Sequence, residues 1–400
     1  MVATSTERTD SELLADVASL IAKVAPTANA SLEASSAALV AAGKTTEALK
    51  QVIAASAALF APENKDIEAP FNSLLFLATK QKSEDAAELV KALLAAVATD
   101  VSDKRSLERL RVLSVVFNTL DANSLNRFET FKALVSFAGA TGHLQAVDLD
   151  FDTLADWIGQ WGLTGTQTRA LYRLIYDVLT QNKKSILAHK FHERLLHTYD
   201  TADAETLATV KESAEKCIKE AIAAPQIFQL DSLLQLAAVK QLEGSDIHNL
   251  LLIFVRDNFQ AYEQFYNSHT AFVQSAGLSH EQNLVKMRIL TLVTLASTSS
   301  EVEFSRIAET LSVPQEEVEA WVIEAITAKL IEAKIDQLNG KIVIGRATHR
   351  IFGKPQWQQL HDRLSSWQNN LNDILVVIKN AKSQAQQHGT APVAVPASAQ

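Results

Sequence analysis

The chain has 400 residues, of which 47% are hydrophobic, with a formal net charge of −9 and only 12 glycines and 8 prolines. So few helix breakers in so long a chain imply a mainly α-helical body of more than one core, and the acidic balance argues against a general nucleic-acid binder. The single cysteine, Cys217, excludes an intramolecular disulfide and any multi-cysteine zinc site, and it suits a reducing compartment. The start, Met1-Val2-Ala3-Thr4, lacks the basic and apolar regions of a secretory leader. No apolar run approaches the roughly 18 residues of a membrane span, which points to a soluble intracellular protein.

Residues 1–8 are expected to be disordered, and helices start at Thr9, which forms a capping-box pair with Glu12 ahead of the stripe Leu13, Leu14, Val17, Leu20, Ile21 and Val24. Further helices are predicted over Ser31 to Ala42, Thr45 to Phe60, Phe71 to Lys80, Ser83 to Ala98, Ser106 to Leu120 and Leu125 to Ala138. Short connections between them imply antiparallel pairs, with a later stripe at Leu171, Leu174, Ile175 and Val178. We read residues 9–200 as helical repeats in a right-handed superhelical stack of helix pairs, of the HEAT or tetratricopeptide kind but without a fixed-period motif, and residues 201–278 as a second helical region.

Three local patterns in this body invite chemical readings. Gly159, Gly162 and Gly165 interleave with Trp157 and Trp161, yet no strand precedes them and no Lys-Ser/Thr pair follows, so a helix connection over packed tryptophans fits better than a phosphate loop. His189, His192, Glu193 and His197 share one helix without a His-Glu-x-x-His pattern, so no metal is expected. Cys217 neighbours Lys216 and Lys219, whose charge would lower its pKa, but no histidine motif accompanies it and nucleophilic catalysis is rejected. No Gly-x-Ser-x-Gly elbow, Walker loop or dinucleotide fingerprint occurs, so neither an enzyme nor a cofactor is expected.

Residues 279–354 read as a winged helix. Ser279 and Gln282 open an apolar helix, a short helix follows at Phe304 to Leu311, and a third opens near Pro314. Two strands then flank Asn339-Gly340, a strong hairpin signal, with Ile335 on the first and Ile342 and Ile344 on the second. The third helix, in the place of a recognition helix, carries Glu316, Glu317, Glu319 and Glu324 against Lys329 alone, which excludes DNA reading. The wing and the turn after it hold Lys334, Lys341, Arg346, Arg350 and Lys354, which leaves open a contact to RNA or to an acidic partner, beside the plainer reading of a solvated basic face. The ribbon's edge, with Ile335, Ile342 and Ile344, is a candidate docking edge.

Residues 355–382 form one helix in which Trp357, Leu360, Leu364, Trp367, Leu371, Ile374 and Ile378 recur at alternating spacings of three and four. Trp357 and Leu360 are expected to fold back on the winged unit and the seam from Trp367 onward to be shared with other chains. Gln368, Asn369, Asn370 and Asn372 supply little of the charge that specifies self-pairing, so the expected assembly is a hetero-oligomer. Residues 383–400, rich in Ala, Gln and Pro, are expected to be a disordered tail.

A helical stack that ends in a winged helix resembles the PCI-domain proteins, subunits of the proteasome lid, the signalosome and eukaryotic translation initiation factor 3. More narrowly, His280-Glu281-Gln282-Asn283, Lys286-Met287-Arg288, Lys334-Ile335-Asp336-Gln337 and the stretch from Thr348 through Arg350, Gly353-Lys354-Pro355-Gln356-Trp357 to Leu360 resemble the subunit M family of that initiation factor. The likeness runs from about Leu233 to Leu371, with Ile351 and Pro355 standing where polar residues would be expected. It implies a cytoplasmic, non-catalytic scaffold that assembles with other PCI subunits through winged-helix edges and a bundle of C-terminal helices. It further implies support for preinitiation complex formation and mRNA recruitment on the small ribosomal subunit, with RNA contact at most indirect and neither DNA nor membrane as partner. The alternative within the PCI class is a scaffold of the signalosome or the proteasome lid.

Overall fold

A computed structural model describes residues 9–26, 31–61, 64, 66–99, 105–351 and 353–388. The expectations for residues 1–8 and for 389–400 lie outside the described residues. The chain separates into two units, one of residues 1–224 with 236–241 and one of residues 225–235 with 242–400. The described residues are mainly helical, with one small sheet and a long C-terminal helix.

The first unit holds α1 (Asp10–Val24), α2 (Leu32–Ala41), α3 (Thr45–Ala55), α4 (Glu68–Thr79), α5 (Ser83–Ala98), α6 (Ser106–Thr119), α7 (Leu125–Thr141), α8 (Phe151–Trp161), α9 (Gly165–Gln181), α10 (Ser185–His197), α11 (Ala204–Thr209), α12 (Lys211–Ala223) and α13 (Ala237–Lys240). Local chemistry sets the ends. Thr9 and Glu12 complete a reciprocal capping box on α1, and Thr164 and Gln167 complete another on α9. The stretch read as one helix over Thr45 to Phe60 is an α-helix to Ala55 followed by a 3-10 turn over Ser56–Phe60. Consecutive helices return on one another through short turns, as α9 and α10 do across Asn182, Lys183 and Lys184. Gly139 lets α7 meet α9 closely, since a β-carbon there would overlap Val178 Cγ1.

Trp157 and Trp161 pack into this unit's core, Trp157 against Phe117 at 5.0 Å and Trp161 against Phe128 and Phe131 at 5.8 Å. Gly162 caps α8 in the left-handed conformation and Gly165 opens α9, so these two glycines lie in the helix-to-helix connection that the sequence reading favoured. The histidine helix is α10, where His192 is buried with Nδ1 3.0 Å from Glu220 Oε2 and Nε2 2.8 Å from Ser213 Oγ. Tyr176 donates a further hydrogen bond to Glu220. Burial alone would raise the Glu220 pKa, but the hydrogen bonds from His192 and Tyr176 hold it below the ordinary value. Among the described residues no three His, Cys, Asp or Glu side chains are grouped to hold a metal ion. Cys217 corrects the sequence reading: it is fully buried on α12, and burial drives its pKa well up where the neighbouring lysines had suggested a lowering.

This network also explains why the first unit runs past residue 200, where the sequence reading placed a boundary. Helix α12 buries Ala214, Ile218, Ala221 and Ile222 and hands Glu220 to His192 on α10, so it belongs with the preceding helices, and the change of unit falls between Ala224 and Pro225.

The second unit contains α14 (Asp246–Arg256), α15 (Phe259–Ser268), α16 (Thr270–Ser275), α17 (His280–Thr298), β1 (Glu301–Glu303), α18 (Phe304–Leu311), a 3-10 turn over Gln315–Glu317, α19 (Val318–Thr327), β2 (Ile331–Asp336), β3 (Lys341–Ala347) and α20 (Lys354–His388). The helix-helix-helix-hairpin order holds, with one addition. Strand β1 pairs antiparallel with β3, so the ribbon is a three-stranded sheet in the order β1-β3-β2. The turn falls at Asn339 and Gly340, where the Asp336 carboxylate accepts from the Asn339 backbone N–H at 3.2 Å and from its side-chain amide at 2.8 Å. One face of the sheet covers a core of Ile289, Leu292, Val293, Ile307, Leu311, Val318 and Val322. Arg288 is held between the rings of Phe259 and Trp321, 5.0 and 5.3 Å from their centroids, tying α17 to α15 and α19.

Candidate assembly interface

Hydrophobic alternation along a strand states that one face is covered, and here the face carrying the isoleucines is covered by the unit's own helices. Ile342 is fully buried, and Ile335 and Ile344 pack beside it on the same core. Ile342 therefore supports the wing from within and has no surface to offer a partner, while Ile335 and Ile344 are half-buried against the same core. What the wing presents outward is backbone and the opposite face. Strand β2 is an edge: β3 takes one of its sides, and no strand takes the other among the described residues. On the outward face Lys334 stands opposite Val343, and Asp336 opposite Lys341.

The basic set divides on inspection. Lys341 is paired with Glu301 at 2.8 Å, and Arg346 stands 3.7 Å from Glu332 with both side chains well exposed. Arg350 was misassigned by the sequence reading as a solvent-facing cation. Its guanidinium donates to the carbonyl oxygens of Phe254 at 2.5 Å, Asp257 at 2.7 Å and Ile253 at 3.4 Å, and to Thr294 Oγ1 at 3.2 Å. Those carbonyls end α14, so the arginine satisfies groups that the helix cannot satisfy itself and sits at the negative end of its dipole. Burial lowers its pKa to about 10. Of the set, Lys334 and Lys354 are exposed and have no ion pair among the described residues. The acidic residues of the third helix stay on the surface, with Glu316, Glu317 and Glu324 exposed and Glu319 half-buried, accepting from the Gln337 side-chain amide at 3.0 Å.

Beyond Arg350 the chain enters α20, 35 residues and roughly 52 Å long at 1.5 Å per residue. Trp357, Leu360, Leu364, Trp367, Leu371, Ile374 and Ile378 share one stripe, and their exposures run from 40% at Leu360 to 69% at Trp367. Trp357 is 61% exposed, so the first turns do not bury their seam against the winged unit as expected. The helix also extends through residues 383–388, past the point where a tail was expected. Leu375, Val376 and Val377 are exposed too, which the heptad reading missed. The uninterrupted apolar run from Ile374 to Ile378 was the available signal, because a helix apolar on every side needs cover on every side.

Residues 262–346 match the PCI domain, and residues 350–378 match the model described as eIF3 subunit M, C-terminal helix. The chain is 37% identical over 326 residues to eukaryotic translation initiation factor 3 subunit M of Homo sapiens, covering 82% of this chain and 86% of that protein. The chain belongs to the subunit M family of eukaryotic translation initiation factor 3. Its counterparts in Xenopus laevis and Danio rerio are each 36% identical over the same span. A subunit M is a structural, non-catalytic PCI subunit of the initiation factor. The second match begins at Arg350, the residue that anchors the base of α20, so the arginine and the apolar stripe fall within one family-specific segment.

Proposed function

We propose that this chain is a cytoplasmic assembly subunit of initiation factor 3 that joins other PCI subunits through two surfaces, the free edge of β2 and the apolar stripe of α20. The observation that carries the reading is the stripe. Side chains of this size are worth about 1.5–3 kcal/mol each when fully buried, and since all seven are 40–69% exposed a partner that covers them gains on the order of 5–10 kcal/mol before ordering and association costs. A helix leaves that much apolar surface to water only if other polypeptides cover it. Gln368, Asn369, Asn370 and Asn372 add no charge code for self-pairing, which favours a hetero-oligomer.

Within the initiation factor the subunit would support preinitiation complex formation and mRNA recruitment on the small ribosomal subunit. Its RNA contact would be indirect, because among the described residues Lys334 and Lys354 alone of the basic set are exposed and without an ion pair. Affinity purification of the tagged chain from cells, followed by mass spectrometry, is expected to recover initiation-factor subunits together with small-subunit ribosomal proteins. Recovery of signalosome or proteasome-lid subunits in their place would overturn the reading.

A further inference from the structure

The second unit has a groove that neither assembly surface uses. It lies between α17, the C-terminal half of α19 and the segment from Pro225 to Phe228, and its volume is about 680 Å3. Phe228, Val285 and Ile289 give it an apolar lining, and Val285 is 36% exposed. Glu281 on α17 and Glu324 on α19 line it from opposite helices. Both carboxylates are solvent-exposed, and neither has an ion pair among the described residues.

We propose that this groove is a docking site for a peptide segment of another protein that inserts an apolar anchor residue over Phe228 and Val285 and sets lysine or arginine against Glu281 and Glu324. Charge complementarity decides the occupant. Nucleic acid and anionic lipid would bring phosphates against two unpaired carboxylates, and an acidic peptide would bring like charge. The chain's own residues 389–400 contain no lysine or arginine, so this segment lacks the groups the rim calls for. The acidic character continues along the same helix with Glu319, and before it with Glu316 and Glu317, which extends the attraction beyond the groove. Lys286 also lines the groove but lies deep, 3% exposed, with its ammonium 6.0 Å from the Phe228 ring centroid. Burial pushes its pKa down to about 7, so an apolar group can be laid over it without trapping a full charge.

The test uses the full chain, immobilised and panned against a random dodecapeptide display library. Selected peptides are expected to share an apolar centre flanked by lysine or arginine. E281Q/E324Q should raise the Kd of a selected peptide by about tenfold, the scale of two partly exposed ion pairs. V285W, which fills the groove from a partly exposed position, should abolish binding while leaving thermal unfolding unchanged. Should V285W fail to fold, the charge variant still decides, since it alters two exposed side chains only. Enrichment of acidic peptides, no enrichment of any sequence, or affinities indifferent to E281Q/E324Q would each overturn the proposal.

Discussion

The substitution Trp367→Asp separates a seam that serves assembly from one that serves the fold. Trp367 is 69% exposed in the chain on its own. A tryptophan carries up to about 250 Å2 of buriable surface, so roughly 170 Å2 remains for a partner to cover. At about 25 cal/mol per Å2 that surface contributes about 4 kcal/mol to association, and a carboxylate in its place adds a desolvation cost of several kcal/mol. The ordering of side chains offsets part of this, so a loss of about 4 kcal/mol is the working expectation, roughly a thousandfold in affinity. In the isolated chain the same change alters only helix propensity, by a few tenths of a kcal/mol, and should move the melting temperature by less than about 2 °C. Calorimetry on the purified variant and co-purification with co-expressed initiation-factor subunits measure the two halves. A fall of several degrees in the isolated chain would mean that the seam packs at home. Undiminished co-purification would mean that no partner covers Trp367, and either result refutes the reasoning.

Two further predictions concern the interior of the second unit. Arg350→Ala removes the donors that end α14 and leaves the part-buried carbonyl oxygen of Phe254 unpaired, at a cost of about 1–3 kcal/mol. Denaturant unfolding should record that loss, whereas Lys334→Ala, at an exposed site, should leave stability within about 0.5 kcal/mol; equal effects would contradict the structural role of the arginine. Lys286 makes stability depend on pH. The unfolded chain keeps the lysine proton up to about its ordinary 10.5, while the buried amine releases it near 7, so between those values unfolding takes up a proton and stability rises with pH. Below pH 7 both states are protonated and this dependence vanishes. From pH 7 to 9 the native protein should gain roughly 2 kcal/mol relative to Lys286→Met, measured by denaturant unfolding at the two pH values. A difference that stays constant across that range would show that the amine is not desolvated.

The parts legible in the sequence are those whose cause is local. Thr9 with Glu12 announced the start of α1, and Asn339-Gly340 placed the turn between β2 and β3, because a cap or a turn is decided by residues a few positions apart. Strand β1 went unread since Glu301, Val302 and Glu303 are too few to display a period, and they form a strand only because β3 lies alongside. Arg350 was misjudged for a related reason. Its acceptors are 56 to 97 positions earlier in the chain, and nothing near residue 350 distinguishes a helix-capping arginine from a solvated one.

Periodicity has the same limit, and comparing α9 with α20 shows where it lies. Leu171 and Ile175 obey helical spacing and are completely buried, while Leu364 and Leu371 obey it equally and are 54% and 60% exposed. Spacing establishes that a face is apolar, and topology decides what covers it. For α9 the cover is α10, brought back by a turn of three residues. For α20 the preceding segment is fixed by Arg350 to the end of α14, and its stripe stays uncovered from Leu360 to Ile378. An apolar period that the chain's own topology leaves uncovered is therefore read from sequence and structure together, and it is the feature on which the proposed assembly role rests. Here it coincides with residues 350–378, the segment matched by the family's C-terminal helix.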